Sequence, residues 1–279
     1  MPRAVSLVSL ADTVSEKSYR FSIDDNIRFF RDLALSRPAS IFDNAYMALL
    51  YRLHERYETR FQLNVYYESE RFTLAQMPDV YRSEWLANAG WLRLSFHARA
   101  DRPADPYQSA GYAQVRGDCE AVHAELRRFA GEALMSGFTT LHFVTATREG
   151  CRALADCGYR GLIALCRTYD GAPRLSYYLD AEATQFLDQN GLARDPETGM
   201  IFVRNDLVLN ALPAEEIRPR LDARLSSGRR ADFLEVMIHE QYFYPDYSRC
   251  LPDFAARMET AILWLRENGY RSVFLDEIL

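Results

Sequence analysis

The sequence has few cysteines, no cluster of basic residues and no long apolar run. Its five cysteines are scattered and never occur in a CxxC spacing, which argues against a disulfide framework and favours reduced thiols in a cytoplasmic protein. The net charge of −6 argues against nucleic acid as a partner, because phosphate binding requires a basic surface. No apolar stretch approaches the ~20 residues that a membrane helix needs, and the N-terminus is too interrupted for a secretory signal. We therefore expect a cytoplasmic protein with neither nucleic-acid nor membrane partners.

Short runs rich in Val, Ile, Leu, Phe and Tyr alternate along the chain with longer segments of helical periodicity. A strand followed by a helix, repeated, is typical of an α/β fold with a mostly parallel sheet. Because no linker interrupts the pattern, it predicts a single domain over residues 1–279, a (β/α) barrel of seven or eight mostly parallel strands. Turn signals around residues 167–200 predict an elaboration on that barrel. The strand candidates are Arg20–Ile23, Phe61–Tyr67, Trp91–Phe96, Thr140–Thr145, Gly161–Leu165, Met200–Leu209, Phe233–Ile238 and Ser272–Leu275.

Imidazoles and carboxylates occur where several of these strands end. His97, His142 and His239 occupy such positions, and the adjacent Asp24 and Asp25 end the first strand. In a barrel of parallel strands the carboxyl ends all open onto one face, so these side chains are expected to share one pocket. Histidine and aspartate are ligands that divalent metals prefer. The pattern therefore predicts a divalent metal site, with zinc as the expected ion.

Each of these residues also has a purely structural interpretation. Asp25 precedes an apolar helix and can cap its first amides. His97 can be a histidine hydrogen-bonded at a strand end, and His142 can be a buried residue within its strand. His54 and His123 lie on helical segments and are interpreted as packing or exposed residues. The prediction of a metal site depends on the shared position of the strand-end residues, because independent structural histidines have no reason to converge there.

Candidate substrate-binding residues follow the same strands. Arg99 and Arg148 can pair with a carboxylate or phosphate on a substrate. Tyr242 and Tyr244 lie in an aromatic loop after His239 and can stack on sugar rings. The structural alternatives stay open, because strand-end arginines commonly form ion pairs and aromatic loops commonly pack against a barrel rim.

The order of these segments resembles the polysaccharide deacetylase family, which comprises metal-dependent sugar N-deacetylases with a (β/α) barrel. The resemblance begins with Phe21-Ser22-Ile23-Asp24-Asp25, which matches the paired aspartates at the end of the family's first strand. It continues through His97, through Ile238-His239 and through the closing segment from Asn268 to Glu277. These short motifs cover the chain from about Phe21 to the C-terminus.

The resemblance implies a role for each matching residue. Asp24 would be the base that activates the attacking water, and His239 the acid that protonates the leaving amine. Asp25 and His97 would be metal ligands. The family's second metal histidine lies four residues after the first, where this sequence has Asp101. We therefore expect either His142 or Asp101 to complete the ligand set.

The residues and the resemblance together predict an enzyme, a metal-dependent carbohydrate deacetylase-like hydrolase. Its expected reaction is removal of an N-acyl group, an acetyl group in the simplest case, from a sugar or a related small substrate. Two alternatives stay open. One is a different metal-dependent hydrolysis or rearrangement of a sugar, and the other is a carbohydrate-binding barrel without catalysis. Metal content separates the two enzymes from the binding protein.

Overall fold

The computed structural model describes residues 4–169 and 172–279. Fifteen strands, several only two residues long, occur in these ranges. They are β1 Val8–Ser9, β2 Ser18–Asn26, β3 Phe61–Tyr66, β4 Glu68–Ser69, β5 Phe72–Thr73, β6 Leu92–Ala98, β7 Phe138–Thr139, β8 Gly161–Leu165, β9 Arg167–Tyr169, β10 Ala172–Arg174, β11 Leu192–Arg194, β12 Ile201–Asn205, β13 Leu207–Val208, β14 Phe233–His239 and β15 Arg271–Ser272.

Eight α-helices lie between these strands in the described ranges. They are α1 Arg28–Ser36, α2 Ala45–Tyr57, α3 Arg82–Ala87, α4 Tyr112–Phe129, α5 Arg148–Asp156, α6 Ala181–Asn190, α7 Ile217–Ser226 and α8 Phe254–Glu267. α4 illustrates why they form: Val115, Cys119 and Val122 recur at helical spacing and are all buried. In the described ranges, none of the helices combines the length and the apolar character that crossing a membrane requires.

The strands pair into two main sheets with mostly parallel neighbours. One has the order β13-β14-β2-β3-β6, with β15 also paired to β2, and the other has the order β1-β11-β12-β8-β7. The sheets meet at a bridge between Leu94 of β6 and Met135, and at a hydrogen bond from the Asp206 amide to the Glu235 carbonyl. The predicted α/β class with mostly parallel strands is confirmed. The pairing in the described ranges forms two sheets, however, so the closed barrel that we expected is not shown.

The central strand β2 is buried along its whole length, as expected for a parallel strand covered on both faces. Arg20 and Ser22 on this strand both donate hydrogen bonds to the Glu235 carboxylate of β14. Burial raises the pKa of Glu235 to about 7, although Arg20 lowers it, and Nη2 of Arg20 and Oε2 of Glu235 have no hydrogen-bond partner among the described residues. The polar row continues along β2 to Asp24, which leads directly to the carboxyl end of the strand.

One of the predicted strands is absent and another is shorter than expected. No part of the segment predicted as Thr140–Thr145 is a strand, because β7 ends at Thr139 and residues His142–Val144 form a 3₁₀ turn. Composition was misleading here, because Leu141 and Val144 are buried in a turn while Phe143 is exposed. The turn is closed by a hydrogen bond from the Val144 amide to the Leu141 carbonyl, at 2.8 Å. The last predicted strand, Ser272–Leu275, similarly pairs only through β15.

The segment around residues 167–200 begins with an antiparallel hairpin of β9 and β10. Residues 170–171, between these strands in the chain, lie outside the described ranges. After α6, β11 pairs antiparallel with β12 and thereby extends the second sheet. This part of the chain therefore contributes a helix and a strand of the second sheet, between β1 and β12, as well as a hairpin.

Candidate metal centre

Three side chains from separate segments converge at the carboxyl ends of β2 and β6. Asp25, His97 and His142 each offer a ligand atom, and these atoms all lie within 4.8 Å of one another. The Nε2 atom of His97 is 3.0 Å from Oδ1 of Asp25, and Nδ1 of His142 is 3.4 Å from the same oxygen. All three residues are buried. One carboxylate and two imidazoles in this arrangement can hold a divalent cation and leave further coordination positions open.

An irregularity at the end of β2 sets the direction of Asp25. The pairing of β2 with β3 shifts register between Ile23 and Asn26, and Asp25 has a φ of 63°. Asn26 holds this bulge, because its side-chain amide donates to the carbonyl oxygens of Ile23 and Asn64. Asp24 keeps its place in the ladder opposite His239. Positive φ is uncommon outside glycine, and such strain is concentrated at functional sites.

The 3₁₀ turn after β7 places His142 at the cluster. Phe143 and Val144 follow it with φ values of 60° and 54°, and a positive φ is rare for a β-branched residue such as valine. The carbonyl oxygen of Thr140, just before the turn, lies 2.5 Å from Nδ1 of His97. A carbonyl oxygen only accepts, so Nδ1 of His97 carries the hydrogen and Nε2 is free to bind a metal.

Tyr66, at the end of β3, is a further member of the cluster that sequence reasoning missed. Its buried hydroxyl donates to Oδ1 of Asp25 and lies 2.8 Å from Nδ1 of His142. Burial raises the pKa of Tyr66 well above its ordinary value, and the charge of Asp25 raises it further. The phenol therefore stays protonated and acts as a donor. Its position as the last residue of a strand, like that of the histidines, was the available signal.

Charge within the cluster favours an ionised Asp25. Burial by itself would raise the pKa of this carboxyl group, but hydrogen bonding with His142 and His97 holds it well below the ordinary range. Burial likewise opposes the charged form of His97, yet the carboxylates of Asp24 and Asp25 raise its pKa above the ordinary value. The site is therefore electronegative and suited to a cation.

Asp101 makes a different contact from the one that the family pattern suggests. Nε2 of His142 lies 3.3 Å from its backbone carbonyl oxygen and 3.8 Å from its side-chain Oδ1. The Asp101 side chain is 63% exposed, against 8% for His142. Of the two residues considered for the third ligand, His142 is the one whose ligand atom lies within the buried cluster.

The two residues matched to catalytic roles flank the cluster. Asp24 is buried, and its Oδ1 accepts a hydrogen bond from the Asn64 side chain. His239, at the end of β14, is partly exposed, and Oδ1 of Asn210 lies 2.8 Å from its Nδ1. Asn210 was not predicted from the sequence, although it directly follows the segment predicted as the strand Met200–Leu209; it lies in the 3₁₀ turn Leu209–Ala211.

The residue after His239 fixes the following loop against the start of α1. The buried Glu240 carboxylate accepts hydrogen bonds from the backbone amides of Ile27, Arg28 and Phe29, which is the interaction that a helix N-terminus favours. Burial raises the pKa of Glu240 to about 7, although those three amides lower it. The next residue, Gln241, donates to Oδ2 of Asp25. Glu240 thereby positions a loop that touches the cluster.

A cleft of about 670 Å³ opens beside the cluster. Asp25, Tyr66 and Gln241 form its inner part. Its outer lining contains four arginines, Arg28, Arg31, Arg102 and Arg249, together with Phe143 and Tyr247. Such a mixed polar and aromatic lining is suited to a polar small molecule.

The residues predicted to bind substrate do not line this cleft. Arg99 instead pairs with Glu68 at 3.1 Å and Asp118 at 3.7 Å. Tyr244 is 9% exposed, and its ring packs 4.6 Å from the guanidinium of Arg28.

The other two predicted substrate-binding residues also have protein partners. The Arg148 guanidinium packs 4.5 Å from the Tyr178 ring and lies 3.6 Å from the Asp195 carboxylate. The Tyr242 ring lies 6.1 Å from that of His239, which makes it the member of this group nearest to the proposed chemistry.

Comparison with solved structures found similar folds. No protein-family model and no curated protein sequence matches this chain. A candidate polysaccharide deacetylase from Mycobacterium smegmatis superposes with a TM-score of 0.59 at 14% identity, covering 100% of this chain and 93% of its own. A peptidoglycan N-acetylglucosamine deacetylase gives a TM-score of 0.49 at 12% identity, covering 95% and 89% of the two chains. A CE4 family pseudoenzyme from Bacillus anthracis gives 0.45 at 9% identity, and this chain covers 66% of its length.

The fold is assigned from the Mycobacterium smegmatis structure, which has a TM-score of 0.59. Its similarity extends over the whole of this chain, so the chain has the polysaccharide deacetylase fold and is a divergent example of it. The resemblance noted in the sequence is thereby confirmed for the fold. Identity this low establishes architecture, and the reaction has to be argued from the site itself.

Proposed function

We propose that the protein is a metal-dependent hydrolase that removes an N-acyl group, an acetyl group in the simplest case, from a carbohydrate. The observation that carries the proposal is the buried cluster of Asp25, His97 and His142 beside an open cleft. The names of the structurally similar proteins point to the same reaction class. The five cysteines are free thiols, which is compatible with the cytoplasmic location that forms part of this proposal.

The ligand set fits a divalent ion of intermediate softness. Two imidazole nitrogens and one carboxylate oxygen are a combination that zinc binds in hydrolytic enzymes, and zinc is the ion that we propose. Such an ion polarises a carbonyl oxygen and lowers the pKa of a water molecule. Two neighbours assist its ligands: the Thr140 carbonyl fixes the tautomer of His97, and the Tyr66 hydroxyl orients Asp25.

Asp24 is proposed as the general base. It is adjacent to Asp25 in the chain, and Asn64 engages its Oδ1, so we assign the other carboxylate oxygen to accept a proton. The Asn64 amide also fixes the orientation of the carboxylate, which a base needs in order to work at a defined position.

His239 is proposed as the general acid. Asn210 accepts hydrogen bonds through Oδ1 from both the backbone amide and Nδ1 of His239. Since Nδ1 is occupied as a donor, Nε2 is the ring nitrogen that can give a proton to the leaving amine. The base and the acid then come from neighbouring strands, because Asp24 and His239 are paired across β2 and β14.

The proposal is tested by measuring metal content and deacetylation on the same preparation. We expect about one divalent ion per chain, and acetate release from N-acetylglucosamine or its oligomers that a chelator removes and zinc restores. His97→Ala should abolish both properties. His54→Ala is the matched control, because His54 stacks on Trp91 away from the cluster. A folded protein that binds no divalent ion and releases no acyl group from N-acylated sugars would refute the proposal and favour a binding protein.

A further inference from the structure

A second cleft, of about 440 Å³, lies between the end of β12 and helix α7. Four arginines line it: Arg167, Arg220, Arg224 and Arg229. Asp206 is the acidic residue in its lining. In the described part of the chain, no residue lines both this cleft and the one at the metal centre. The proposed hydrolysis gives the second cleft no role.

The carboxylate of Asp206 is already occupied. Its Oδ1 accepts a hydrogen bond from Nε of Arg204 at 2.7 Å and lies 3.0 Å from Nε of Arg224. Its Oδ2 accepts from the backbone amide of Glu235 at 3.0 Å. Asp206 attracts the Arg167 guanidinium electrostatically, but both of its carboxylate oxygens already have partners.

Hydrogen-bond donors near Arg167 outnumber the acceptors that the described residues offer them. One of its guanidinium nitrogens lies 3.4 Å from Oδ1 of Asn205. Asn205 is 3% exposed, and its amide nitrogen has no hydrogen-bond partner among the described residues. Nη1 of Arg224 is likewise buried without a hydrogen bond in those ranges, although Oδ1 of Asp188 lies 3.5 Å from it. Buried donors of this kind are costly unless an acceptor meets them.

The arginines also repel one another. Removal of water from the Arg167 guanidinium lowers its pKa, and the charges of Arg174, Arg224 and Arg220 lower it further. Elsewhere on the cleft, Arg229 pairs with Asp188 at 2.7 Å and Arg220 with Glu216 at 3.2 Å. A bound anion at Arg167 would relieve this repulsion.

We propose that this second cleft binds the phosphate group of a small phosphorylated molecule, held chiefly by Arg167 and Arg220. Phosphate is the chemistry that fits, because its oxygens accept several hydrogen bonds at once and match the planar fork of arginine. Its charge of nearly two at neutral pH exceeds that of a carboxylate. The site lies outside the metal centre and can be occupied independently of it.

Calorimetric titration with inorganic phosphate tests the proposal. The titration is run with a chelator present, so that phosphate held by a metal ion does not contribute. We expect saturable binding that Arg167→Gln weakens about tenfold or more, since a charge-assisted hydrogen bond is lost. The affinity of Arg167→Lys for phosphate should lie between those of the wild type and Arg167→Gln, because lysine keeps the positive charge and lacks the planar guanidinium of arginine. Arg116→Gln is the matched control, since Arg116 pairs with Glu120 on α4.

Three outcomes overturn the proposal. One is that the folded protein binds no phosphate with the chelator present. Another is that Arg167→Gln and Arg116→Gln weaken binding equally, which would indicate a diffuse effect of net charge. The last is that acetate binds as tightly as phosphate. Melting temperatures of all variants are measured in parallel, and Arg220→Gln repeats the test should Arg167→Gln fail to fold.

Discussion

Oδ1 of Asn210 accepts two hydrogen bonds from His239, one from the backbone amide at 3.2 Å and one from Nδ1 at 2.8 Å. Because both groups donate to one oxygen, the ring cannot rotate without losing a bond and its tautomer is fixed. A neutral amide in this place orients the imidazole without adding charge beside it. The general acid that we propose is thus held by a residue outside the strand ends.

The first prediction concerns this contact. We expect Asn210→Ala to lower kcat for deacetylation by about 100-fold, the lower range for loss of general acid catalysis, with little change in KM. The reason is that the His239 ring stays in the site but loses the hydrogen bond that orients it. Steady-state kinetics on an N-acetylated sugar measure the effect, with Asn190→Ala as the control because Asn190 bonds the Phe186 carbonyl of its own helix. A rise in KM with kcat intact would contradict the assigned role.

The second prediction decides the third metal ligand. His142→Ala should lower zinc affinity by about 100-fold or more, because loss of a ligand exceeds the effect of loss of an outer partner. Asp101→Ala should leave affinity nearly unchanged, since its side chain is exposed. Competition with a chromophoric chelator measures both variants. Equal losses in the two variants, or a larger loss for Asp101→Ala, would be incompatible with the buried cluster.

The third prediction concerns the hydroxyl of Tyr66. Tyr66→Phe removes the hydrogen bond to Asp25 and preserves the packing of the ring. We expect about a tenfold loss of zinc affinity, which is typical for a partner that orients a ligand. The same chelator competition measures it, with Tyr51→Phe as the control because Tyr51 is 37% exposed. Unchanged affinity would mean that Asp25 is oriented by the backbone bulge alone.

The fourth prediction uses the raised pKa of Glu240, about 7 in the folded protein against an ordinary value of 4.5. Between these values the folded state holds more protons than the unfolded state, so this group's contribution to stability is lost as the pH rises. Glu240→Gln removes that contribution. The free energy of unfolding of the wild type relative to this variant should therefore fall by on the order of 3 kcal/mol from pH 4.5 to pH 7.

Urea unfolding at several pH values measures this difference. Glu120→Gln, on the exposed surface of α4, is the control and should show no such slope. A difference that stays constant with pH would show that the three backbone amides hold Glu240 ionised throughout. In that case Glu240 would act as an ordinary helix cap, and its contribution to stability would not depend on pH in this range.

The periodicity of the sequence was sufficient to predict the α/β class of the fold. The run Gly161–Leu165 is β8 as predicted, because a short apolar run between turn signals has few other stable conformations. The prediction of a strand over Thr140–Thr145 was wrong. Leu141 and Val144 of this run are buried, but in a turn, and composition does not distinguish a buried turn from a buried strand.

The candidate site, like the fold, could be anticipated from the sequence only in part. Asp25, His97 and His142 were singled out, and the structure brings their side chains together. Tyr66 occupies an equivalent position at a strand end and was overlooked, because only residues common as metal ligands were considered. The arginines Arg99 and Arg148 were singled out by position, and their partners Glu68 and Asp195 were not visible in the sequence.

By itself, the sequence determined that strands and helices alternate and that imidazoles and carboxylates follow the strands, because side-chain chemistry and periodicity are local properties. Only the tertiary structure decided which of those groups meet. The bulge at Asp25 and the turn that carries His142 place one oxygen 3.4 Å from an imidazole nitrogen. That distance depends on backbone conformations at positive φ, which packing and hydrogen bonds elsewhere in the fold stabilise and which no local pattern specifies.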